Sequence, residues 1–265
     1  MALDHVTSAD GTPIAFERSG TGPAIVLIGG AFNDRHTVSG LAATLAPDAT
    51  VVCYDRRGRG ASGASTDYDP KRETEDLAAV IDAAGGSGGV AVFGHSSGAV
   101  IAAQAAAHGV AVSKLALYEP TYVVDGSRRR PGDDLADRVQ ALLADGDGDS
   151  AAALFLTEAV GLPEEMVQGM RASDAWTFFA GLAGSLPFDL AVCGPGMKLA
   201  GQELASITVP TLVLNGGNTA PWLAAASRAV ADAIPGAVHR VIDGQDHGIL
   251  QQPDALREVL TEFLG

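Results

Sequence analysis

Short apolar runs recur along the chain at residues 24–28, 50–54, 90–93, 114–118, 209–214 and 238–242, with helical patterns between them. Runs that are apolar at nearly every position become strands buried on both faces. Strands of that kind need a parallel sheet with helices packed on each side. Residues 14–18 alternate and add a strand of the half-buried type. Helical periods cover 35–45, stopped by Pro47, and 71–84, ended by Gly85 and Gly86. A further pattern covers 97–108, with Gly109 placed as its C-terminal cap, and two more cover 221–234 and 253–264. The alternation predicts an α/β three-layer sandwich built on a mostly parallel, doubly wound sheet.

The rhythm breaks once, over 121–205. This stretch opens with an Arg-rich loop (127–132), passes a loop rich in Asp and Gly (145–149) and holds helical pieces at 151–160 and 175–182. At roughly 85 residues it is too long for one crossover. The expected organisation is therefore a core of residues 1–120 and 206–265 with a small helical cap inserted over 121–205. An insertion there sits above the strand ends, where open α/β sheets carry their sites.

Composition narrows the choice of partners. Hydrophobic residues make up 47% and charged residues 18%, enough to bury a sizeable core. The net charge is −15, from 32 acidic and 17 basic residues. An acidic surface repels phosphate backbones and anionic lipid, so the expected partner is a small-molecule substrate rather than nucleic acid or membrane. Cys53 reads as a core thiol and Cys193 lies in a Gly/Pro-rich segment, a pair with neither disulfide-framework nor metal-site spacing. The N-terminus has no basic n-region or apolar h-region, and no run of about 18 apolar residues occurs. A cytoplasmic monomer or homodimer is the default expectation.

Gly94-His95-Ser96-Ser97-Gly98 matches G-x-S-x-G, with an apolar strand directly before it and a helix directly after. Such a sharp turn strains the central residue and holds its hydroxyl out above the sheet. Only small side chains fit two positions to either side. Ser96 is thus the candidate nucleophile, and the Ser97 N–H is a candidate oxyanion donor at a helix N-terminus.

Three further stretches fall in the same order as landmarks of the α/β-hydrolase superfamily, and the chain resembles its small bacterial esterase-like members. Ile28-Gly29-Gly30-Ala31-Phe32 stands where the family carries a His-Gly motif. Residues 54–60, completed by Ser62, resemble its D-x-R-G-x-G-x-S loop. Gly244-Gln245-Asp246-His247 resembles the loop of its catalytic histidine. The resemblance implies that His247 is the general base and that the second oxyanion donor is the Ala31 N–H, with Phe32 next. Gly29 departs from the pattern by replacing the usual His.

The family's usual acid follows the strand 209–214, but residues 215–221 contain no carboxylate. Some members place the acid after the strand that follows the nucleophile helix. Here that position is Glu119, and the order Ser96, Glu119, His247 keeps nucleophile, acid and base in sequence. Asp243, or a pair without an acid, is the alternative. Asp246 adjoins His247, where neighbouring loop side chains rarely face each other.

Other marked residues have two readings each. Phe32, Trp176 and Phe179 are candidates for a hydrophobic acyl pocket, or for core packing. Arg56, Arg57 and Arg59 either meet an anionic substrate or pair with local carboxylates. Arg128, Arg129 and Arg130 read as a solvated loop. The expected activity is hydrolysis of a carboxylic ester, thioester or lactone, with no metal and no organic cofactor, since no motif for one appears. The alternatives are a non-hydrolytic enzyme on this fold (a cofactor-free haloperoxidase, lyase or cyclising acyltransferase) and a ligand-binding protein with an impaired triad. Epoxide hydrolases and dehalogenases of this fold need an Asp where Ser96 stands.

Overall fold

Alternation along each buried strand decides which helical layer a side chain meets. The computed structural model describes residues 2–64, 68–85, 89–124, 126, 128–174 and 176–265. Gly86, Ser127 and Ala175, which the sequence reading puts at a helix end, a loop start and a helix start, lie outside the described residues. In chain order the first half holds β1 (Leu3–Thr7), β2 (Pro13–Ser19), β3 (Ala24–Ile28), α1 (Ser39–Leu45), β4 (Thr50–Tyr54), α2 (Lys71–Ala84), β5 (Val90–His95), α3 (Ser97–Ala107) and β6 (Val112–Tyr118). Between β6 and the next strand come α4 (Leu135–Ala144), α5 (Gly148–Leu154), a π-helical turn (Phe155–Val160), α6 (Glu164–Arg171), α7 (Trp176–Gly181), α8 (Leu186–Cys193) and α9 (Gly201–Leu204). The chain closes with β7 (Thr211–Gly216), α10 (Pro221–Ala233), β8 (Val238–Ile242) and α11 (Asp254–Leu264).

The described strands form one eight-stranded sheet in the order β1-β2-β4-β3-β5-β6-β7-β8. β2 runs antiparallel to both β1 and β4, and every other neighbouring pair is parallel. Ile25 and Leu27 of β3 pack with Leu41 of α1 and Leu256 of α11 on one face. Val26 and Ile28, one step out of phase, pack with Leu77 of α2, Ile101 of α3 and Val230 of α10 on the other. A third cluster, including Leu135, Val139, Phe155 and Leu186, lies within the helices between β6 and β7 and takes in Phe32 from the core. No helix among the described residues is long and apolar enough to cross a membrane.

Three local expectations need correcting. The helix expected from residue 35 starts only at Ser39. The Asp34 carboxylate accepts from the Thr37 N–H and hydroxyl instead, a local bond that competes with helix. Strand β1 was not anticipated, because its residues are mostly exposed and carry no strand-like alternation. The arginine loop is also more than solvated surface. Arg128 donates to the carbonyls of Glu158 and Val160, the end of the π-helical turn, and its guanidinium stacks 4.4 Å from the Trp222 ring.

Candidate active site

The turn after β5 forces Ser96 into a backbone conformation with φ 61° and ψ −126°. A non-glycine residue there stores strain of about 1–3 kcal/mol. The elbow survives because its neighbours lack side chains. A Cβ on Gly94 would meet the Gly98 carbonyl oxygen at 2.5 Å, and one on Gly98 would meet the Ile28 carbonyl oxygen at 2.6 Å. A Cβ on Gly30 would meet the Ser96 Cβ at 2.6 Å. The Ser96 N–H donates to the Tyr118 carbonyl at 2.9 Å, which ties the elbow to β6.

The end of β6 and the loop after β8 meet over this serine. His247 Nε2 lies 3.2 Å from Ser96 Oγ, and His247 Nδ1 lies 2.6 Å from Glu119 Oε2. A carboxylate oxygen only accepts, so Nδ1 carries the proton and Nε2 offers its lone pair to the serine. Glu119 is fully buried, at φ 47°, and its other oxygen accepts from the Gly216 N–H at 2.8 Å. The carboxylate thus comes from the end of β6, while the end of β7 supplies only a main-chain donor. The His247 loop is held on two sides. His95 Nε2 donates to the His247 carbonyl at 2.9 Å, and the Tyr118 hydroxyl donates to the Asp246 carbonyl at 2.7 Å. Burial, with the nearby His247 ring adding to it, lowers the His95 pKa to about 3, so its imidazole stays neutral. Asp246 is turned away from the imidazole and accepts from the Gly248 N–H.

The loop after β3 faces the elbow. Among the described residues, the N–H groups of Ala31 and Ser97 have no protein acceptor. Phe32 follows at φ 56°. Without the usual His side chain, the loop is braced by Asn33, which sequence reasoning missed, and by Arg59. Asn33 Oδ1 accepts from the Gly30 N–H at 2.9 Å. Arg59 Nη1 donates to the carbonyls of Gly30 (2.5 Å) and Asn33 (2.9 Å).

The three loop arginines take the local-pairing reading. Arg57 is bidentate on Asp76, with both bonds at 2.7 Å, and also reaches Asp10. Arg56 grips Glu73 with two nitrogens and Asp189 with a third, and Arg59 bonds the other oxygen of Asp189. Burial opposes an ionised Asp189, but Arg56 and Arg59 overcome it and hold the carboxyl below the usual range. Asp189 was also missed, although a lone acid inside the apolar run of α8 is a signal, since such a charge must find a partner.

The aromatic candidates separate. The Phe32 ring meets Phe155 and Phe179 edge-on, with centroids 5.5 and 5.1 Å away. Trp176 packs behind Phe179, with Nε1 bonded to Asp149 of α5, on the inside of the helical segment. Ser96 is 8% exposed, whereas the His247 side chain is 36% exposed, so the site opens to solvent on the imidazole side. A cavity of about 660 Å³ lined by Arg128, Arg129, Arg130 and Arg138 belongs to the helical segment and does not include Ser96. No cluster of three or more His, Cys, Asp or Glu among the described residues is arranged to hold a metal ion.

Comparison with known proteins agrees with this architecture. Residues 25–259 match the alpha/beta hydrolase family. An alpha/beta hydrolase from Sphaerobacter thermophilus is 46% identical, with 99% of this chain and 100% of that one aligned and a TM-score of 0.92. An esterase from Thermogutta terrifontis is 22% identical, covering 100% of this chain and 98% of its own, with a TM-score of 0.75. A bromoperoxidase from Bacillus anthracis is 20% identical, covering 99% of both chains, with a TM-score of 0.76. The last two likenesses speak to fold alone. A search of curated protein sequences gives no match.

Proposed function

The chain belongs to the alpha/beta hydrolase family, and on that premise we propose that it cleaves a carboxylic ester, or a related thioester or lactone, through an acyl-enzyme on Ser96. The observation that carries this reading is the unbroken chain of contacts Ser96 Oγ–His247 Nε2–His247 Nδ1–Glu119 Oε2, at 3.2 and 2.6 Å.

In this reading Ser96 Oγ attacks the acyl carbon while His247 Nε2 takes its proton. Glu119 keeps the Nδ1 tautomer and stabilises the imidazolium that forms. The tetrahedral oxyanion accepts from the N–H groups of Ala31 and Ser97, each worth about 3 kcal/mol in the transition state. His247 returns the proton to the leaving group. It then activates a water that attacks the acyl carbon, releases the acid and restores Ser96. The Phe32 ring, on the loop that carries the Ala31 N–H, and its neighbour Phe179 support an apolar acyl or alcohol group as substrate. The loop arginines are each paired with buried protein carboxylates, which weighs against their recruiting an anionic substrate.

The complete relay weighs against an impaired site, which drew its support from the missing carboxylate after β7. The test is covalent labelling with a fluorophosphonate probe, followed by peptide mass spectrometry and a panel of esters, thioesters and lactones. Stoichiometric labelling of Ser96 with turnover of at least one acyl class is expected. A folded protein that neither labels nor turns over any member would sink the proposal.

A further inference from the structure

We propose that Asp189, on α8 of the helical segment, is a positioning residue that sets both halves of the oxyanion hole from a single carboxylate. The inference rests on the hydrolase reading above, because it concerns the two N–H donors named there.

Asp189 is 1% exposed and is the only charged residue of α8. A carboxylate placed there by chance would be strongly disfavoured, so its partners explain its presence. Oδ1 accepts from the Ser97 hydroxyl at 2.6 Å and from Arg56 Nη1 at 2.6 Å. Oδ2 accepts from Arg59 Nη2 at 2.6 Å. Ser97 carries one candidate oxyanion donor on its own main chain. Arg59 reaches the other through its remaining arm, which holds the carbonyls of Gly30 and Asn33 on either side of Ala31 and Phe32. Two loops far apart in sequence are thus brought to one acceptor, and that acceptor belongs to the helices that cover the site.

The network is closed electrostatically. Arg56 and Arg59 are matched by Asp189 and Glu73, and the Tyr68 hydroxyl bridges Glu73 to the Phe188 carbonyl beside Asp189. No ionic ligand is needed to balance it. Asp189 touches no reacting atom. Its effect passes through the orientation of two peptide N–H groups, which must meet an oxygen that exists only in the transition state. The helical segment and the reaction centre are therefore mechanically joined: α8 cannot shift without releasing Ser97 and Arg59.

Asp189→Asn keeps the shape but removes the charge and turns one oxygen into a donor facing Arg56 or Arg59, whose guanidinium groups cannot accept. Ser97→Ala removes only the hydroxyl link and serves as the second, milder variant should Asp189→Asn fold poorly. With the ester that the wild type turns over best, kcat is expected to fall about 10- to 100-fold in Asp189→Asn and less in Ser97→Ala, with KM within about twofold. Affinity for an alkyl boronic acid, a mimic of the tetrahedral species, should fall with kcat/KM. The double variant should be hardly worse than Asp189→Asn, since the Ser97–Asp189 bond that Ser97→Ala removes is already compromised in Asp189→Asn. Arg138→Ala, which breaks the exposed Arg138–Glu158 pair elsewhere in the helical segment, should leave kcat unchanged.

Unchanged kcat in both Asp189→Asn and Ser97→Ala would overturn the positioning role. So would a rise in KM alone, or an equal loss in Arg138→Ala. A wild type inert to both probe and acyl panel would overturn this inference together with the hydrolase reading. An active wild type with equally active variants would remove only the role of Asp189.

Discussion

Glu119 adopts a left-handed backbone conformation that glycine would occupy without strain, as do Phe32 and Ser96. Three such residues converge on one site, and each costs about 1–3 kcal/mol, which the surrounding packing must offset. In the proposed mechanism a carboxylate is needed at Glu119. Glu119→Gln should lower kcat by about 10²–10⁴, as expected when an imidazole loses the acceptor that fixes its tautomer, with a melting temperature close to wild type. Steady-state kinetics beside calorimetry checks this, and a wild-type rate would remove Glu119 from the mechanism. His95 carries a second prediction. Its pKa is lowered to about 3 in the fold by burial, against about 6.5 in an unfolded chain. The unfolded chain therefore takes up a proton that the native site refuses. The stability tied to a neutral His95 is full above pH 6.5 and drains as pH falls toward 3. Denaturant titrations from pH 7 to 4 should show a shallower loss in His95→Gln than in wild type. Parallel slopes would mean that other groups carry the acid sensitivity.

At the scale of elements, the inner parallel strands were legible because both faces are buried and the apolar runs are nearly continuous. β3 and β4 coincide with their apolar runs, the exposed edge strand β8 also matches its expected bounds, and α2 begins and ends as its period and Gly85 imply. The elbow could be read from Gly94, Ser96 and Gly98 because its constraint is local: three glycine-or-small positions around one turn. What stayed hidden depends on partners distant in sequence. No period in residues 186–193 says that Asp189 reaches Ser97, and nothing near Asn33 says that its amide oxygen holds Gly30. Short-range polar competition accounts for the late start of α1 at Ser39. The elbow also yields a test. Gly98→Ala would place a Cβ 2.6 Å from the Ile28 oxygen and 2.7 Å from the Gly29 oxygen, both rigid main chain. We expect a loss of about 2–4 kcal/mol by chemical denaturation and impaired turnover, since α3 must back away from the loop after β3. Full stability would mean that the elbow opens more easily than its packing indicates.

For the whole molecule, the chain carries a net charge of −15 while the arginines nearest the site are consumed by internal pairs. Salt screens exposed charges within about 10 Å at 0.1 M and reaches buried pairs far less. Moderate NaCl should therefore relieve the repulsion of the acidic surface and raise the melting temperature by roughly a few degrees. A steady fall in scanning fluorimetry would instead make exposed pairs such as Arg240–Glu262 the larger contribution. The end of β7 and the turn after it have a different use. Gly216, Gly217, Asn218 and Thr219 hold their positions through main-chain N–H groups, donating to Glu119, Ile242, Gln245 and Gly216 in turn. Asn218 is exposed. The segment is thus written in backbone rather than in side chains, which makes it the natural place to graft a fluorophore. A label at Asn218 would sit two residues from Gly216 and report on the carboxylate it anchors without entering the chemistry.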